Sequence, residues 1–262
     1  MKTLLLSAAL AIGVYGAGPA PANANCDNAT LHGTVAAALT KTSSGAPTAT
    51  AYVESWDGAG HLQYQESDSQ GTSHQTYFGT GTYQISKDCI ATVYYDNATT
   101  NPYSYYVAPN GEGYWWVNNL NVGIVAAGHV ELISRDLIVD PTATTPGPCS
   151  VSSLHGTMAW DAERTVQGAP QASDGFESYD GAGHLRYKQT NSDGYTTTTA
   201  TGTGTYTISD RCVASVYYDG ATVPMLFWVA PDGAGYWWIN LQDSGVVAAG
   251  KAQRVSHELV LK

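Results

Sequence analysis

Gly79-Thr80-Gly81-Thr82-Tyr83-Gln84-Ile85-Ser86-Lys87-Asp88-Cys89 returns 123 residues later as Gly202-Thr203-Gly204-Thr205-Tyr206-Thr207-Ile208-Ser209-Asp210-Arg211-Cys212. In the second copy Thr201, Thr203, Thr205 and Thr207 alternate with Gly202, Gly204, Tyr206 and Ile208. A period of two is the signature of a strand with one face in water and one in a core. The Thr face is the wet one, and in the first copy the inner face reads Tyr77, Gly79, Gly81, Tyr83 and Ile85. Alternating glycines on an inner face mark a strand that bends sharply or is closely approached, as where a small sheet closes on itself.

Outward from this segment the duplication continues. Leu31-His32-Gly33-Thr34 recurs as Leu154-His155-Gly156-Thr157, Asp57-Gly58-Ala59-Gly60-His61-Leu62 as Asp180 to Leu185, and Tyr94-Tyr95-Asp96 as Tyr217-Tyr218-Asp219. Gly113-Tyr114-Trp115-Trp116 then recurs as Gly235-Tyr236-Trp237-Trp238 at an offset of 122. One residue is therefore lost in the loop between Asp96 and Tyr103, where length changes cost little. A repeat of about 120 residues is one whole domain, not a solenoid unit. The domains are expected at 25–140 and 149–262, joined by a Pro/Thr linker at 141–148.

Each repeat reads as short alternating runs separated by Gly, Asp and Asn turns, with no sustained helical period. The first half suggests strands near 31–38, 48–56, 61–67, 75–86, 90–96, 103–108, 113–119 and 124–134, and a short run at 137–139. Eight antiparallel strands in this length fit a closed barrel or an immunoglobulin-type sandwich. The sandwich is disfavoured because Cys26 precedes the first strand and no Tyr stands two residues before Cys89 or Cys212. The expected fold is all-β: two tandem small eight-stranded antiparallel β-barrels, each with one disulfide.

The four cysteines, Cys26, Cys89, Cys149 and Cys212, allow three pairings. Equal separations of 63 residues within each half select Cys26 with Cys89 and Cys149 with Cys212. Closing such a loop stabilises a domain by roughly 4 kcal/mol in the chain-entropy treatment. No Cys-x-x-Cys and no Cys/His cluster at ligand spacing is present, so no metal is expected.

Residues 1–24 read as a secretory signal, with Lys2, an apolar run from Leu4 to Val14 and Ala22-Asn23-Ala24 as a cleavage site. The run is shorter than the ~20 residues a spanning helix needs. A secreted or periplasmic location suits disulfides. With 11 Lys and Arg against 22 Asp and Glu, the net charge of −11 argues against a nucleic-acid partner. No membrane association is expected once the signal is removed.

The chemistry-bearing candidates are inward tyrosines and two carboxylates. Tyr64, Tyr83, Tyr95 and Tyr105, with Tyr187, Tyr206, Tyr218 and Phe227 in the second half, would line a cavity suited to a small amphipathic ligand. A barrel filled by the same side chains is the other outcome. Glu54 and Glu177 hold equivalent places on the second strand. Facing inward, either is a desolvated carboxylate able to move a proton; facing outward, it is a solvated neighbour of surface aromatics. Of the adjacent tryptophans, Trp115 and Trp237 must oppose Trp116 and Trp238, so one set is core and the other a surface patch for sugars or the partner domain. His32, His61, His155 and His184 show no metal-ligand spacing. No nucleophile elbow, phosphate loop, zinc motif or dinucleotide fingerprint occurs, and no cofactor is expected.

The Gly-x-Tyr strand running into Cys89, and its copy running into Cys212, resembles small exported bacterial proteins with a lipocalin-like or allene-oxide-cyclase-like barrel. The early Gly-x-Trp of true lipocalins is absent, since Gly33 precedes Thr34 and Val35, and Gly156 precedes Thr157 and Met158. The resemblance implies a small barrel whose cavity holds an apolar molecule, and carries over no catalytic residue. The function expected is non-catalytic binding of a small amphipathic molecule or an extracellular partner. The alternatives are a cofactor-free cyclase or isomerase using Glu54 or Glu177, and an interaction module with filled barrels.

Overall fold

The computed structural model describes residues 25–118, 123–139 and 147–261; the expected signal at 1–24 and most of the expected linker lie outside these. The first repeat contains strands β1 His32–Ser43, β2 Ala46–Asp57, β3 His61–Ser69, β4 His74–Ile85, β5 Ile90–Tyr95, β6 Tyr103–Val107, β7 Gly113–Val117, β8 Ile124–Val125 and β9 Ala127–Ser134. The second contains β10 His155–Val166, β11 Ala169–Asp180, β12 His184–Ser192, β13 Thr197–Ile208, β14 Val213–Tyr218, β15 Met225–Val229, β16 Gly235–Ile239 and β17 Val246–Ser256. All pairings are antiparallel, and β10 to β17 close into an eight-stranded barrel. The first repeat closes in the same way, β1 pairing with β2 on one side and with β8 and β9 on the other. β8 and β9 are one strand interrupted at Ala126, where β17 runs unbroken.

Two details differ from the expectation. The first two strands are longer, because β1 and β2 form one hairpin turning at Ser44 and Gly45, both at positive φ (50° and 83°). This is the two-residue turn that matches strand twist. The run 137–139 is not a strand. Its amides bind hydroxyls instead: Ile138 N donates to Thr34 Oγ1 at 2.9 Å and Val139 N to Ser55 Oγ at 2.8 Å.

Both expected disulfides form. Each holds a short 3₁₀ segment, Asn28–Thr30 or Val151–Ser153, across one end of its barrel. Leu31 and Leu154 are buried there. Tyr83 Oη donates to the Leu31 and Asn28 carbonyls, both at 3.2 Å, and Tyr206 Oη to the Leu154 carbonyl at 2.8 Å. That end is thereby plugged, which leaves the opposite end as the approach to the interior.

The inner glycines have a specific cause. A Cβ on Gly79 would lie 2.5 Å from the Tyr64 ring and 2.2 Å from Asp96 Oδ1, and one on Gly202 would meet Tyr187 and Asp219 likewise. Tyr64 therefore lies across its cross-strand partner Gly79 and donates to Asp96 at 2.8 Å.

The barrels pack asymmetrically. Trp228, Trp237, Ile239, Val247 and Ala249 of the second barrel cover Ala36, Ala49, Ala51 and Val53 of the first. Lys251 pairs with Glu131 across the contact and sits 5.4 Å over the Trp237 ring. In consequence β2 is buried on both faces from Thr48 to Trp56, whereas its counterpart β11 alternates from Gln171 to Glu177 and is buried on both faces only from there to Tyr179.

Candidate functional site: a carboxylate floor in each barrel

Glu54 points inward and is 4% exposed, as is Glu177. Its position follows from the strand period: Thr50, Tyr52, Glu54 and Trp56 share the inner face of β2. A lone buried carboxylate is costly, and here it is held by hydroxyl and indole donors. Tyr95 Oη donates to Glu54 Oε1 at 2.5 Å, while Tyr114 Oη and Trp56 Nε1, the latter at 3.2 Å, donate to Oε2. Tyr95 and Tyr105 hydroxyls are 2.8 Å apart. In the second barrel Tyr218 donates to Glu177 Oε1 at 2.6 Å, and Tyr179 and Tyr236 serve Oε2. Trp56 and Tyr179 are equivalent, so a donor is retained although the ring changes.

Burial pushes both carboxyls above the usual carboxylate range, and the three donors at each oppose that rise. The same burial, reinforced by the carboxylate charge, lifts Tyr95, Tyr114, Tyr218 and Tyr236 well above the ordinary phenol value. The tyrosines thus stay neutral donors.

Above each floor lies a cavity, about 330 Å³ in the first barrel and about 230 Å³ in the second. Tyr64, Tyr95 and Tyr105 line the first, and Tyr187, Tyr218 and Phe227 the second, as does each glutamate. Tyr83 and Tyr206, expected among these, are placed outside both linings and hold the plug instead. Tyr105 corresponds to Phe227, so the second floor lacks one hydroxyl.

The walls were resized by paired exchange. Ala37 faces Tyr52 across β1 and β2, and the equivalent pair is Trp160 facing Gly175. A Cβ on Gly175 would stand 2.9 Å from the Trp160 indole, so the large side chain has changed strands.

Tyr114, Tyr236 and the mouth residues Lys41, Glu66, Asp68 and Arg164 were not singled out from sequence. Tyr114 shares a strand face with Trp116 two residues on, which was a usable signal. Trp116 and Trp238 are the inward members of their pairs. His61 and His184 lie outside the cavities, each 2.9 Å from an aspartate of its own turn, Asp57 or Asp180. Among the described residues no cluster of His, Cys, Asp and Glu is arranged to hold a metal, and no helix is long and apolar enough to cross a membrane. No protein-family model matches the chain, and no curated protein matches it at a significant level.

Proposed function

We propose that the chain is an exported binding protein, each barrel taking a small amphipathic molecule into its cavity without turning it over. The observation that carries this reading is the pair of cavities, each walled by aromatic rings and ending on a hydrogen-bonded carboxylate. Rings supply contact area at low entropic cost, and a carboxylate with lone-pair capacity left on Oε1 orients a ligand N–H or O–H. Export is supported by the signal-like first residues and by the two disulfides. The lipocalin-like resemblance points the same way.

A cyclase or isomerase is the second reading, favoured by a buried glutamate with a raised pKa at a cavity floor. Against it, each carboxylate already accepts three hydrogen bonds, which hold it as an acceptor and restrain its movement. Titration of the mature chain with 2-phenylethanol by calorimetry, followed by chromatography of the recovered compound, tests both. Binding with unchanged compound in the wild type, weakened in Glu54→Gln and Glu177→Gln, is expected; no heat at millimolar probe overturns the binding reading. Conversion of a bound compound that stops in those variants would instead establish the enzyme.

A further inference from the structure

The two cavities share a floor and differ in charge at the mouth. In the first, Lys41 Nζ lies 3.0 Å from Asp68 and 3.6 Å from Glu66, so one ammonium serves two carboxylates. Thr50 also donates to Asp68, which leaves Glu66 the less satisfied of the two. In the second, Gln189 and Asn191 replace Glu66 and Asp68. There Arg164 donates to Gln171 at 3.0 Å and faces the charge of Asp243, so that, Asp219 apart, the mouth is balanced. The carboxylates Asp96 and Asp219 are common to both and accept hydrogen bonds from the hydroxyls of Tyr64 and Tyr187.

The walls diverge in the same sense. Tyr103 and Tyr105 of the first cavity are replaced by Met225 and Phe227, while the Tyr52 ring is exchanged for that of Trp160 on the facing strand. Tyrosine faces carry negative potential and attract a cation within about 6 Å, most strongly where water is excluded. A partly enclosed chamber of such rings, with one more uncompensated carboxylate at its mouth than the second cavity has and another on its floor, is complementary to an ammonium.

We propose that the first barrel selects a small amphipathic cation, a primary or secondary ammonium carried on an aromatic or short apolar body, while the second takes neutral molecules of similar size. The inference rests on the binding reading above and adds the charge of the ligand. The ammonium donates to Glu66 beside Lys41, its charge faces the tyrosines, and the apolar body lies toward Trp116 and Leu39.

Calorimetric titration of the full mature chain at pH 8 and low salt tests this with three probes of one shape: 2-phenylethylamine, 2-phenylethanol and 3-phenylpropanoate. The amine is expected to bind one site per chain at least tenfold tighter than the alcohol, with the carboxylate weakest at that site. In the double variant E66Q/D68N, which copies the second barrel, that preference falls to within about twofold. The reciprocal Q189E/N191D is expected to create a second amine site. Equal affinity for amine and alcohol in the wild type overturns the charge assignment and leaves the cavity reading intact. An amine preference that survives E66Q/D68N overturns it too, whereas failure of all three probes overturns both readings.

Discussion

At the residue scale the decisive groups are Glu54 and Glu177, buried carboxylates kept by their donors. Removing the acceptor strands hydroxyls and an indole N–H at a buried site, each unsatisfied group costing about 1–3 kcal/mol. Glu54→Ala is therefore expected to lose about 3 kcal/mol or more in urea unfolding, and Glu54→Gln, which keeps one acceptor oxygen, distinctly less. A carboxyl of another kind sits at the mouth. Although 32% of its side chain is open to solvent, Glu66 is pushed up to about 7, first by desolvation and next by Asp68, with Lys41 opposing. Tyr52 and Tyr64 face it from β2 and β3, and Glu54 adds its charge from the floor. Because this folded carboxyl holds its proton more tightly than the unfolded one, its contribution to stability falls as pH rises from about 4.5 through about 7. Urea midpoints of the wild type and Glu66→Gln should accordingly diverge from pH 5 to pH 8, the wild type losing ground; parallel curves would contradict the assignment.

At the element scale the glycines of β4 and β13 show what alternation can and cannot reveal. The Gly-Thr period announced a strand approached closely on its inner face, and the approaching groups are the cross-strand ring of Tyr64 or Tyr187 and the aspartate that ring holds in place, Asp96 or Asp219. Gly79→Ala should cost about 1–3 kcal/mol, the range for overpacking. Against a Tyr64→Ala background the same change should cost much less, and a double-mutant cycle by chemical unfolding measures the coupling. Additive effects would mean that the ring does not explain the glycine. β2 shows the opposite case. Its outer row of Ala49, Ala51 and Val53 is more apolar than its inner row of Thr50, Tyr52 and Glu54, because the second barrel covers the outside. The pattern along that strand therefore had the reverse sign, and the direction of Glu54 stayed open in sequence. The mouth pair Glu66 and Asp68 was hidden for a related reason: charged residues alternating on a strand read as a wet face, and only barrel closure turns them inward.

At the scale of the whole molecule, the duplication made the two barrels and their disulfides legible, while their packing was not. Equal repeats give no reason for one face to be covered and its copy bare; the difference lies in what the opposing surface offers. Ala38 and Ala51 of the covered face correspond to Asp161 and Asp174 in the second barrel, where two carboxylates oppose each other across strands in solvent. The adjacent tryptophans accordingly have different fates. Trp237 is 6% exposed between the barrels, whereas Trp115 is 50% exposed and stacks on His129 at 4.6 Å. Trp237→Ala should cost about 3 kcal/mol or more, as for a buried large-to-small change, and Trp115→Ala about 0.5 kcal/mol or less. Thermal unfolding of the two variants side by side checks this, and equal losses would contradict the asymmetric contact.

The central claim is that both barrels are hollow and occupied by small molecules. Native mass spectrometry of the mature chain after incubation with extract of its own host culture tests it most directly. The account predicts discrete adducts, up to two per chain, that disappear on denaturation. Bare protein across several extracts would contradict it and leave the exposed faces as the working surface.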